Sequence, residues 1–268
     1  MPSEAPIPSS HSWGDRTYTD IAATGERDGS ILVLPIGSIE QHGPHLPVAT
    51  DTILVDAITS LGAERVEGDV PILTLPPFWS GYSPHHLEFG GTVSLEFDHL
   101  LAVIEDIADT ALENGFDALI LVNGHGGNKA LLSAAVSTIG VENDDAEVLG
   151  LTYFELAASF IDEVRDTKIG GMAHAGEFET SLLLYLRDDL VDTDAMDGMY
   201  LEEPYDLALS DLHEGGPLAV YRGFEEYSAN GAIGDPSQAS ATKGKQIYEL
   251  LGDELESLIR EVHERNSS

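Results

Sequence analysis

The 268-residue sequence contains no cysteine, which removes disulfides, thiol nucleophiles and thiolate metal ligands together. Basic residues are scarce: 12 Lys and Arg stand against 48 Asp and Glu, for a formal charge of −36. Nucleic-acid binding needs a basic surface to displace the phosphates' counterions, and an anionic membrane surface needs the same, so both classes of partner are excluded. No N-terminal apolar segment follows a basic region, and no apolar run approaches the roughly 20 residues of a membrane span; a cytoplasmic location is expected. Tryptophan occurs only as Trp13 and Trp79.

What the chain does have is histidine and carboxylate at the ends of apolar runs. Ile31 to Ile36, rich in Ile, Leu and Val, reads as a fully buried strand. It leads into Gly37-Ser38-Ile39-Glu40-Gln41-His42-Gly43-Pro44-His45-Leu46-Pro47. Residues two apart on extended chain point to one side, so Glu40 and His42 can share an ion. Asp51 follows a Pro-rich turn, just inside the next predicted helix, whose expected cap is Thr50. A carboxylate there is placed to bridge two cations.

A second apolar run, Ala118 to Val122, ends in Asn123-Gly124-His125-Gly126-Gly127-Asn128 before a helical segment from Lys129. Both clusters fall outside the carboxyl ends of predicted strands, where open α/β sheets gather their sites. The glycines either allow a tight turn or leave N–H groups at the helix start free for an oxyanion or phosphate. They are not a dinucleotide fingerprint, because Lys129 stands where the third glycine would be. The third cluster is Ala173-His174-Ala175-Gly176-Glu177-Phe178-Glu179-Thr180-Ser181. With a helix starting near Ala175, His174 and Glu177 lie three apart on one face and Glu179 points elsewhere; alternatively, the acids simply favour a helix N-terminus. This mix of His, Glu and Asp suits zinc, manganese or iron.

With Gly81-Tyr82-Ser83 to His86 and Gly91-Thr92-x-Ser94-Leu95 between them, these motifs resemble the creatininase family of metal-dependent amidohydrolases, in the family's order from about residue 31 to 187. The resemblance implies a three-layer αβα sandwich and two divalent ions per subunit, zinc, manganese or iron. It implies Glu40, His42, Asp51 and His125 as ligands, with Asp51 bridging, and His174 as the catalytic histidine. Creatinine-hydrolysing members carry a glutamate ligand two residues after the histidine that matches His125; here that position is Gly127. Glu177 is expected to replace it, with Glu179 either a catalytic carboxylate beside His174 or the fallback ligand. Those members also close tryptophans over the creatinine ring near the third cluster, so with only Trp13 and Trp79 creatinine is disfavoured.

The implied activity is hydrolysis of a non-peptide C–N bond in a small formamide or cyclic amide. Members with the Asn-Gly-His-Gly-Gly-Asn form include the deformylase of a formamidopyrimidine ribonucleotide on the route to riboflavin and deazaflavin, and hydrolases that open rings of inositol derivatives. Two cations supply a water-derived nucleophile near neutral pH and polarise the carbonyl, while His174 suits protonation of the leaving nitrogen. Gly126, Gly127 and Asn128 are candidate donors to the oxyanion or substrate. Tyr82, Ser83, His86, His85 and Trp79 share the loop Pro76 to Phe89, long enough for a substrate lid or a subunit contact. His45 is read as an orienting partner of a ligand. The family's members are oligomers, hexamers in the best-known case, so the implied partners are a small-molecule amide and further copies of the chain. Two other classes remain open: a nucleotide- or sugar-binding module that holds phosphate on the Asn123 to Asn128 turn, and a metal-stabilised structural protein.

Strand-like and helical segments alternate: Ile31 to Ile36, Thr52 to Val66, Ile72 to Leu75, Leu95 to Leu112, Ala118 to Val122, Lys129 to Ile139, Glu147 to Tyr153. This argues for one α/β domain over residues 1–268 with a mostly parallel sheet. Pro236 to Arg265 reads as a closing helix, with Ile247, Leu250, Leu251, Leu255, Leu258 and Val262 at helical spacing. Asp197 to Asp235 is irregular and rich in Gly, Tyr and acid, a segment able to reach a neighbouring subunit's site.

Most of the acid excess lies outside the site clusters, in stretches such as Glu142 to Glu147, Asp188 to Asp197 and Leu201 to Asp211, and lysine is rarer than arginine. That pattern points to adaptation to a concentrated salt cytoplasm, where screening removes the self-repulsion that loosens a highly charged fold. The melting temperature is therefore predicted to rise with KCl concentration; a value independent of KCl would contradict this.

Overall fold

The computed structural model describes residues 11–201, 205–208 and 211–268; residues 202–204 and 209–210 of the expected irregular segment lie outside it. Four strands, β1 (Ile31–Ile36), β2 (Ile72–Thr74), β3 (Ala118–Asn123) and β4 (Glu147–Thr152), form a sheet in the order β2-β1-β3-β4, every pair parallel. The helices are α1 (Tyr18–Gly25), α2 (Thr50–Arg65), α3 (Phe97–Leu112), α4 (Lys129–Glu142), α5 (Ile161–Val164), α6 (Glu177–Leu186) and α7 (Ala241–Asn266).

Every residue of β1 and β3 is buried, which explains their unbroken apolar runs: parallel strands are covered on both faces. Alternation along the strand then divides the core in two. Ile31 and Val33 of β1, with Ile120 and Val122 of β3, pack with Ile58 of α2, Leu182 of α6 and Leu255 of α7. Leu32, Leu34 and Leu121 face the other way, toward Ile104 of α3 and Ala135 of α4. The result is the three-layer αβα arrangement. Among the described residues no helix is long and apolar enough to cross a membrane.

Chain direction fixes where a site can form. From β1 the chain crosses to β2 at one edge, then returns to β3 on the opposite side of β1. The carboxyl ends of β1 and β3 therefore flank a switch in strand order, the place where parallel sheets leave a crevice.

Three local expectations are corrected. Thr50 does not cap α2: Ala49 holds that position, and Thr50 begins the helix with its hydroxyl donating to Pro47 O at 2.7 Å. Helix α6 starts at Glu177, not near Ala175, because Ala175 adopts a left-handed φ of 55° that no helix can contain. The closing helix starts at Ala241 with Ser240 as its cap, after a separate turn at Pro236–Gln238.

Helices α6 and α7 pack so closely that a Cβ on Gly244 would lie 1.8 Å from Ser181 O. Beside this contact the buried Lys243 ammonium pairs with the fully buried Glu177, and also donates to Asp166 Oδ2 and Gln238 O. Removing one partner of a buried ion pair leaves an uncompensated charge. Lys243→Met is predicted to cost about 3 kcal/mol in urea unfolding, with Lys243→Met/Glu177→Leu recovering part of the loss. A single variant as stable as wild type would contradict the assignment.

Candidate metal centre

The crevice at the ends of β1 and β3 holds a buried set of imidazoles and carboxylates. The turn after β1 supplies Glu40 and His42, the first turn of α2 supplies Asp51, the turn after β3 supplies His125, and the first turn of α6 supplies Glu179. All five are nearly or fully buried. Asp51 divides its oxygens between two groups. Its Oδ2 lies 3.1 Å from His125 Nδ1, which is also 3.0 Å from Glu40 Oε2. Its Oδ1 lies 3.1 Å from His42 Nε2, which faces Glu179 Oε1 at 4.0 Å. Glu40, Asp51 and His125 form one group whose donor atoms lie within 4.8 Å of one another, and His42, Asp51 and Glu179 form a second.

The protons on the histidines show what these groups suit. His42 Nδ1 donates to Glu40 O at 3.0 Å, and His125 Nε2 donates to Tyr82 O at 3.1 Å. Each imidazole thus commits one N–H to a backbone carbonyl and turns its other nitrogen toward carboxylate oxygens. That nitrogen must either take a second proton or share a cation with the carboxylates. Burial opposes charge on His42, yet Asp51, Glu179 and Glu40 outweigh it and raise its pKa to about 9. His125 is raised well above its ordinary value, because Glu40 and Asp51 overcome the burial. Glu179 is pushed up to about 7 by burial, with Asp51 and Glu40 adding to this and His42 opposing. Asp51 Oδ2, though close to His125, has no hydrogen-bond partner. Three buried carboxylates, two imidazoles fixed by carbonyls and an orphaned oxygen together fit two divalent cations, one in each group.

His174 lies against this set. Its Nε2 donates to Gln41 O at 2.6 Å, and its Nδ1 stands 3.7 Å from Glu40 Oε1. Gln41, which sequence reasoning left without a role, is the organiser here. Its Nε2 donates to Gly231 O at 3.1 Å and to His86 Nδ1 at 2.8 Å. His86 Nε2, which then carries the ring proton, faces Glu40 Oε1 at 3.3 Å.

The remaining expected site residues divide. Tyr82, His86, Gly126, Gly127, His174 and Glu179 line a cavity of about 560 Å³ above the two groups. Ser83 is buried beneath it, its hydroxyl 3.0 Å from His125 Nε2 and 2.7 Å from Ser38 Oγ. Asn128 is not among the residues lining the cavity: its side chain accepts from Tyr82 N and donates to Gly37 O. His45 hydrogen-bonds no candidate ligand directly; its Nε2 donates to Ala175 O at 3.1 Å, bracing the strained turn whose N–H holds Glu179. Trp79 is half exposed and away from the cavity.

Glu177 is the main correction. Its carboxylate accepts from Asp166 N at 2.9 Å and Thr167 N at 3.1 Å and pairs with Lys243, so it is spent on the α6–α7 contact. Glu179 stands at the second group instead, fixed by Ala175 N donating to its Oε2 at 2.6 Å. Position 127 cannot carry a ligand: a Cβ there would lie 2.4 Å from His125 Nε2 and 2.6 Å from Tyr82 O.

The segment expected to reach a neighbouring subunit folds over this chain's own site. Leu212, Leu218, Tyr221, Phe224 and Tyr227 line the cavity from it. Its one sequence signal was the three-residue spacing of the last three rings.

Comparison with known proteins agrees with this geometry. The family model Creatininase, described as creatinine amidohydrolase, matches residues 14–259. The chain is 34% identical over 233 residues to a mycofactocin precursor peptide peptidase of Mycobacterium ulcerans (strain Agy99), covering 85% of this chain and 84% of the relative. It is 32% identical over 260 residues to a 3-dehydro-scyllo-inosose hydrolase of Thermotoga maritima, covering 88% and 78%. Among solved structures, one described as creatininase Mn superposes with a TM-score of 0.80 at 28% identity, covering 94% of this chain and 98% of that one. A matching family model over most of the chain, relatives above 30% identity and a shared fold lead to one conclusion: this chain belongs to the creatininase family of hydrolases.

Proposed function

We propose that this hydrolase works with two divalent cations and cleaves the C–N bond of an uncharged amide. The observation that carries the reading is the division of Asp51, one oxygen in each donor group, with each group completed by one histidine and one further carboxylate. Glu40, His125 and Asp51 would hold one ion, and His42, Glu179 and Asp51 the other. Bound there, the ions would polarise the amide carbonyl and activate water.

The chain's own residues supply the remainder. The Glu40 and Tyr82 carbonyls keep the proton of each ligand imidazole away from the ions. Gln41 O holds the Nε2 proton of His174 and leaves Nδ1 as the atom that exchanges a proton with the leaving nitrogen, since a tetrahedral adduct releases an amine only when that nitrogen is protonated. Gly126 and Gly127 both line the cavity, and at Gly126 open space lies where a side chain would stand, so substrate can approach the backbone closely there.

The cavity wall bears on substrate. Its cations are Lys129 and Arg222; Lys129 is paired with Glu155 at 2.8 Å and Arg222 lies 5.5 Å over the Tyr227 ring. A phosphorylated formamidopyrimidine nucleotide, the substrate suggested by resemblance, would need such cations to replace its hydration. An uncharged amide, whether a formamide, a cyclic amide or a bond in a precursor peptide such as the mycobacterial relative is named for, has no such need.

Elemental analysis of protein purified in concentrated KCl without chelator tests the ligand set. Glu179→Gln is predicted to lower bound metal from about two ions per chain to about one, while Glu177→Gln keeps about two. The reverse pattern would overturn the assignment. His174→Ala is predicted to keep its metal and lose about 10²-fold or more in turnover of whichever amide in a formamide and cyclic-amide panel the wild type hydrolyses; undiminished turnover would remove His174 from the reaction.

A further inference from the structure

Phe224 belongs to no motif, yet its ring meets three histidines at the centre. The ring centroids lie 4.0 Å from His86, 4.9 Å edge-on from His174 and 5.4 Å from His85. It lines the cavity and is partly exposed there. The strap that carries it is tied to the site at several points. Ser228 N donates to Phe224 O at 2.8 Å, Gln41 Nε2 donates to Gly231 O at 3.1 Å, and Ile233 N donates to His174 O at 2.8 Å. The same residues that orient His174 and His86 therefore hold the Phe224 ring in register with them.

The neighbouring wall continues this character. Tyr227 sits edge-on to Phe224 at 6.3 Å, and Phe154, Leu212, Leu218 and Val220 complete an apolar surface. Lys129 extends over the Phe154 ring at 5.0 Å while paired with Glu155. A polar substituent set against Phe224, Phe154, Leu212, Leu218 and Val220 would lose hydration to apolar side chains, whereas an apolar planar group gains both burial and ring contact.

Building on the dinuclear amidohydrolase reading, we propose that Phe224 is the specificity-determining residue of this site: its ring seats an aryl or similarly planar apolar group next to the scissile carbonyl, so the preferred substrates are amides bearing such a group. The test uses two hydroxamates, metal chelators that differ only in a methyl or a phenyl substituent, titrated calorimetrically into manganese-loaded protein.

Wild type is expected to bind benzohydroxamate about 10-fold more tightly than acetohydroxamate. Phe224→Ala is expected to bring the two within about 2-fold while keeping the wild-type metal content, and Phe224→Leu to fall between. A wild type without aryl preference, or a Phe224→Ala variant that keeps it, overturns the proposal. Acetohydroxamate that fails to bind the loaded wild type at all overturns the metal reading and this proposal with it, a result distinct from loss of the aryl preference alone.

Discussion

Glu40, Asp51 and Glu179 are carboxylates buried around two imidazoles, His125 and His42, with Asp51 shared between them, and the structure around them is organised by the need to neutralise that charge. A buried carboxylate is tolerated only when paired, protonated or bound to a metal. Two protons on His42 and His125 neutralise part of it, and the raised pKa of both imidazoles expresses that pull. Divalent cations held by the two groups would neutralise it more fully and would relieve the orphaned Asp51 oxygen. The sheet serves the same end. Parallel strands β1 and β3, running side by side into one crevice, bring the turn after β1 and the turn after β3 to a common point.

Helix α6 shows how narrowly such a site is specified. Glu177 and Glu179 are two residues apart and both buried, yet one is bound to Lys243 between two helices and the other completes the second donor group. The difference comes from Ala175. Its left-handed backbone delays the helix to Glu177, places its own N–H on Glu179, and presents its carbonyl to His45. A strained residue beside a candidate catalytic histidine persists only where surrounding contacts hold it, and here they do so from both sides.

These details explain what could be read from the chain alone. Strands β1 and β3 were legible because burial on both faces leaves uninterrupted apolar runs, and Glu40, His42, Asp51 and His125 because they cluster at the ends of those runs. The two glutamates were not legible. Alanine carries no preference for positive φ, so nothing announced that α6 would start late and that His174 and Glu177 would share no helix face. Asn128 and His45 were expected to face substrate or ligand because of their motifs, but their side chains bond to Tyr82 and Ala175, and Ser83 stands behind His125 instead of in the cavity. Phe224 had only its spacing from Tyr221 and Tyr227 to mark it, because it lies in an irregular segment whose position depends on contacts to Gln41 and His174 far away in sequence.

The shared carboxylate of Asp51 is the centre of the account, and anomalous diffraction from crystals of the manganese-loaded protein tests it most directly. The account predicts two anomalous peaks per chain, one among Glu40, His125 and Asp51 Oδ2 and the other among His42, Glu179 and Asp51 Oδ1. A single peak, or a second peak beside Glu177 instead of Glu179, would contradict it.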